Sequence, residues 1–68
     1  MELSAHNQLP GKVKSVKLGN VMAEVVVDVA GHEVVSAITR VSAEGLGLKE
    51  GMEVLVVIKS TEVMIAKP

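Results

Sequence analysis

Two short clusters hold most of the side chains that could do chemistry: Ser4-Ala5-His6-Asn7-Gln8 near the start and Lys59-Ser60-Thr61 near the end. Both combine hydroxyl, amide, imidazole or ammonium donors, and neither contains a carboxylate. Such a set suits an oxyanion, which only accepts hydrogen bonds and so needs converging O–H, N–H and ammonium donors with no acceptor facing it. By spacing alone, a Lys-Ser-Thr run after a strand also reads as an ordinary solvated turn, and Ser4 and Asn7 as turn or cap residues.

Other chemistries find less support. A nucleophile with its base, or two carboxylates with separated roles, would mark an enzyme, but the chain has no Cys and no Tyr, and its acids fall at turns and strand edges. It reads as a binding protein without catalysis. His6 and His32 lie far apart in sequence and no Cys accompanies them, which leaves neither a zinc constellation nor a disulfide framework. His32, beside Gly31, reads as a solvated loop residue. Gly11, Gly19, Gly31 and Gly51 are too dispersed for a phosphate loop and read as turns. The four Met residues read as core or interface filler, with Met22 and Met64 on candidate interface strands.

The elements that must position these groups belong to a small chain. Sixty-eight residues make one domain, 1–68, and a domain this short buries only roughly 60% of the surface its unfolded chain exposes. Without disulfides or metal, oligomerisation is the staple that remains. Seven basic against eight acidic residues and no Phe, Tyr or Trp supply neither the field nor the stacking faces for nucleic acid. The longest apolar stretch, Val54 to Ile58, is far below the roughly 20 residues of a membrane span, and no signal-like segment opens the chain, so a cytoplasmic location is expected.

Fourteen valines point to an all-β fold, because β-branched side chains fit a pleated, half-buried surface. Residues 12–17 read as a first strand, followed by a turn at Leu18-Gly19-Asn20. Residues 21–29 alternate, with Val21, Ala23, Val25, Val27 and Val29 on a dry face and Met22, Glu24, Val26 and Asp28 on a mixed one. After a turn at Ala30-Gly31-His32, residues 33–39 form a third strand. Ser42 could cap a short helix that Gly45 and Gly47 keep from growing. Lys49-Glu50-Gly51 turns the chain into residues 53–59, where Val54-Leu55-Val56-Val57-Ile58 reads as buried on both faces. Ser60-Thr61-Glu62 breaks that strand, and Val63-Met64-Ile65-Ala66 makes a fifth. Five strands and one helical turn predict a small OB-like Greek-key barrel, assembled as an oligomer.

Four stretches together carry a resemblance: residues 4–13 (SAHNQLPGKV), Ile38-Thr39, residues 46–51 (LGLKEG) and residues 57–65 (VIKSTEVMI). In combination they resemble the molbindins, free-standing Mop domains of the TOBE class, across essentially the whole chain. The resemblance implies a homohexamer built as a trimer of dimers that stores molybdate or tungstate at its subunit boundaries, with no organic cofactor. It implies that Ser4, His6, Lys59 and Ser60 of one subunit face the oxyanion, with backbone N–H groups near Ala5 assisting and Thr39 supplied by a neighbour. A second kind of site on the threefold axis is also implied. Similar Mop domains serve as ligand-sensing modules of molybdate transport and regulatory systems, the alternative role.

One departure is chemical. Many relatives have Arg where this chain has His6; a guanidinium is always charged, whereas an ordinary imidazole titrates near pH 6.5. A second reading makes His6 a neutral turn residue bonded to a carbonyl.

Overall fold

The structure, a computed structural model, describes residues 4–68. Its elements are β1 (Asn7–Leu18), β2 (Met22–Val29), β3 (His32–Thr39), the helix α1 (Arg40–Gly45), β4 (Glu53–Ile58) and a 3₁₀ turn (Ser60–Glu62). The strands form one antiparallel sheet in the order β3-β2-β1-β4. The hairpin between β2 and β3 turns on Ala30 and Gly31, both at positive φ (51° and 88°), and the Asp28 carboxylate accepts from the Gly31 N–H at 3.0 Å.

The first strand is twice the expected six residues, starting at Asn7 rather than Lys12. Pro10 and Gly11 suggest a turn in the sequence, yet both lie within the ladder, opposite Leu55 and Val54 of β4. The pairing of β1 with β2 reaches only as far as Lys12 opposite Asp28, so Pro10 falls where β1 has a neighbour on one side, the place where a strand tolerates its missing N–H. Gly11 is there because β2 passes close: a Cβ on it would stand 2.7 Å from Val27 Cγ1 and 2.8 Å from the Asp28 carbonyl oxygen. A bulge between Val13 and Ser15 leaves Lys14 out of register, and its ammonium pairs with Glu33 of β3.

The core is small. Val13, Ala23, Val25, Val27 and Ala43 are buried, and Val16, Val29, Ile38, Leu48, Val54 and Val56 pack partly against Val13, Val25 and Val27. The dry face expected for β2 therefore holds from Ala23 to Val27, while Val21 is exposed and lies outside the strand. The helix cap differs from expectation: Thr39, not Ser42, is the N-cap, its hydroxyl oxygen accepting from the Ser42 N–H at 3.1 Å.

Three further expectations need correction. Residues 63–66 join no ladder, so the described chain has four strands rather than five; the 3₁₀ turn after β4 ends the pairing with β1, and no other strand of the chain takes the segment up. The sheet is open rather than closed into a barrel, since β3 and β4 are its two edges and do not pair with each other. β4 is not buried on both faces: Val54, Val56 and Ile58 are half-buried, whereas Leu55 and Val57 remain 48% and 40% exposed. Among the described residues, no helix is long and apolar enough to cross a membrane.

Candidate functional site

The register between β1 and β4 decides which donors meet. Asn7, the first residue of β1, stands opposite Ile58, the last of β4. Because the strands run antiparallel, the segment that enters β1 and the segment that leaves β4 emerge at the same end of the sheet. Ser4, Ala5 and His6 thus share that end, the mouth of the sheet, with Lys59 and Ser60, although the two clusters lie more than 50 positions apart in the chain. Five of the six residues singled out from the sequence share this mouth.

Each is available to solvent. Ser4, His6, Lys59 and Ser60 are exposed and Ala5 is half-buried. Lys59 adopts an extended conformation (φ −64°, ψ 137°) at the entry of the 3₁₀ turn and makes no side-chain capping bond. The ion pairs among the described residues are Lys14–Glu33 and Arg40–Glu44, so the Lys59 ammonium is not neutralised by any described carboxylate. Glu33 beside Lys14 instead raises that lysine's pKa above its ordinary value, by hydrogen bonding first and charge attraction second, and ties it to a structural partner. The mouth thus offers an ammonium, an imidazole and two hydroxyls.

Gln8 belongs to the N-terminal donor cluster, but the sequence gives it no role of its own. Its Nε2 donates to the Ala5 carbonyl oxygen at 2.9 Å, reaching back from β1 across the bend that holds Ser4, Ala5 and His6. A glutamine three residues beyond a turn carbonyl is a recognisable side-chain-to-backbone pattern, but it was masked by the expectation that β1 begins at Lys12.

Thr39 is not at the mouth. It ends β3 opposite Met22, beside the far end of β1, where Leu18 pairs with Ala23. Its hydroxyl accepts from the Ser42 N–H and donates to Ser42 Oγ at 2.7 Å. The next residue, Arg40, clamps this corner, its backbone N–H donating to the Val21 carbonyl at 2.8 Å and its guanidinium to the Gly19 carbonyl at 3.2 Å. Within one chain Thr39 and Lys59 therefore stand at opposite ends of the twelve-residue β1.

Three concavities elsewhere suit an anion less, one of them, about 390 Å³, pairing Lys12 and Lys14 with Asp28, Glu33 and Glu50. An open hollow of about 640 Å³ beside Pro10, Gly11 and Lys12 is also lined by Asp28 and Glu53, whose carboxylates oppose a dianion. A narrower groove of about 200 Å³ is walled by the core valines, Ile38 and Leu48, with Ser36 among them. No group of three His, Asp or Glu that could hold a metal ion occurs among the described residues.

Comparison with known proteins adds context to this geometry. The sequence matches the TOBE domain family over residues 3–65. It is 56% identical over 66 residues to molybdenum-pterin-binding protein 3 of Clostridium pasteurianum, with 96% of this chain and 97% of that protein aligned. The fold superposes on the structure of MopII from Clostridium pasteurianum with a TM-score of 0.91 at 49% identity, covering 97% of this chain and 100% of that one. It superposes on a molybdate binding protein from Sporomusa ovata with a TM-score of 0.94 at 40% identity, covering 98% and 100% of the two chains.

Proposed function

Because the chain belongs to the TOBE domain family, we propose that it binds molybdate, or its congener tungstate, as a bare oxyanion at the mouth formed by Ser4, Ala5, His6, Lys59 and Ser60. The observation that supports this reading is the β1–β4 register, by which two donor clusters distant in sequence leave the sheet at the same end. Each charge-assisted hydrogen bond to such a dianion is worth about 1.5–3 kcal/mol, so micromolar binding, about 8 kcal/mol, needs several convergent donors rather than one or two. The relatives' names pair molybdenum with pterin, but a chain without Phe, Tyr or Trp lacks the large rings on which a pterin stacks best. The inorganic anion is the better match, with no organic cofactor and no reaction performed on the ligand.

The site is completed by assembly. Thr39 reaches a Lys59 only when it comes from another copy, and the surface favours such contact: Met64 and Ile65 are 92% and 91% exposed, Leu55 and Val57 show their outer faces, and both sheet edges are unpaired. A five-residue core stands to gain from this coverage. The assembly is a homo-oligomer, a hexamer arranged as a trimer of dimers, in which the apolar tail and open sheet of each copy are covered and barrels are closed between copies. Its role is cytoplasmic storage of the oxyanion, within the single domain 1–68.

Calorimetric titration with sodium molybdate at about pH 7, alongside light scattering at low micromolar protein, tests both halves. Saturable binding by an oligomer is expected. A stable folded monomer would overturn the shared site, and absence of saturable molybdate binding would overturn the ligand.

A further inference from the structure

We propose that Gln8 is a positioning residue that sets selectivity between fully deprotonated oxyanions and those that retain a proton, by latching the Ala5–His6 peptide plane. The inference rests on the oxyanion site proposed above. The Gln8 Nε2 donates to the Ala5 carbonyl at 2.9 Å, and only this amide orientation gives that carbonyl a donor. In a trans peptide the C=O and the following N–H point in opposite directions. Holding the Ala5 carbonyl toward Gln8 therefore turns the His6 N–H the other way, and it withdraws from the mouth the one backbone acceptor of that peptide.

The consequence is chemical. Molybdate, tungstate and sulfate present only acceptors at neutral pH, whereas phosphate carries a proton that needs an acceptor of its own. With the peptide latched, the phosphate proton finds no backbone acceptor in that peptide and must turn a hydroxyl that would otherwise donate to the anion. Once unlatched, the same peptide can rotate, replacing a donor with an acceptor that repels a bare dianion and receives the proton of hydrogen phosphate. Gln8 itself is exposed on β1, opposite Val57, so its role lies in this single contact rather than in packing.

The test is Gln8→Met, which keeps the length of the side chain, removes the donor and adds no charge, with Gln8→Ser as a second variant. Molybdate and phosphate dissociation constants are measured by calorimetry for parent and variants, with melting temperature and assembled mass as controls. The expected result is weaker molybdate binding with little loss, or a gain, for phosphate, so that the molybdate-to-phosphate preference shrinks by about tenfold at unchanged mass and stability. A preference unchanged in both variants, even if both affinities fall together, overturns the latch and leaves the oxyanion site standing. A parent that binds no molybdate overturns the site, and the latch with it.

Discussion

Replacing Gly11 with Ala tests the close passage of β1 against β2, in the stretch of β1 that also pairs with β4 and leads to the mouth. An added Cβ would lie 2.7 Å from Val27 Cγ1, 2.8 Å from the Asp28 carbonyl oxygen and 3.0 Å from Val29 Cγ2. Carbon atoms in good contact stand about 3.5–4.0 Å apart, so β1 and β2 must separate by several tenths of an ångström or more. Neither near neighbour can simply swing away, since Val27 is a buried core side chain and the Asp28 oxygen is backbone in the strand. Overpacking of this kind costs about 1–3 kcal/mol, offset by about 0.4–1 kcal/mol from the less flexible unfolded chain. A net loss of about 1–2 kcal/mol lowers the melting temperature of a chain this size by roughly 5–15 °C. Scanning calorimetry at one fixed protein concentration measures it, because melting of an oligomer depends on concentration. Gly45→Ala is the control: it lies in α1, its Cβ would meet nothing within 4 Å, and it should melt at or slightly above the parent. If Gly11→Ala also melts at or above the parent, the close passage of β1 and β2 is wrong.

Three further outcomes follow from the mouth itself. Lys59→Ala, which removes an ammonium that no described carboxylate neutralises, should weaken molybdate binding by about ten- to a hundredfold in calorimetry, whereas Lys67→Ala, outside every element, should change little; equal effects would mean diffuse charge attraction. His6→Arg, which puts a permanent forked cation where the imidazole stands, should bind molybdate at least as tightly as the parent in calorimetry, and a clear loss of affinity would remove His6 from the site. In competition assays the parent should prefer molybdate and tungstate over sulfate, and sulfate over phosphate; phosphate competing as well as sulfate would contradict a mouth made of donors.

Much of the fold was legible because valine-rich alternation gives strands their period, and the β2–β3 hairpin and the helical turn fell where the punctuation of Gly31 and Gly45 put them. Pro10 and Gly11 misled for the opposite reason: punctuation in sequence can also mean a one-sided neighbour and a close approach in space. The tail at residues 63–66 has the composition of a strand, but pairing is a property of two segments, and the sheet of its own chain offers it none. Five candidate residues were singled out by type and by family resemblance, yet their common place at one end of the sheet comes only from the β1–β4 register, which no local pattern encodes. Gln8 was legible as a member of the donor cluster, but its contact was not, because that depends on where the Ala5 carbonyl points.

The most direct test of the central claim is an anomalous-scattering map from crystals of the protein grown with tungstate, whose heavy atom reports its own position. The account predicts a peak within hydrogen-bond reach of Lys59, Ser60 and the Ser4–His6 bend, with Thr39 approaching it from another copy. A peak seated instead beside Lys12 and Lys14, or a mouth left empty while the crystal binds tungstate elsewhere, would contradict it.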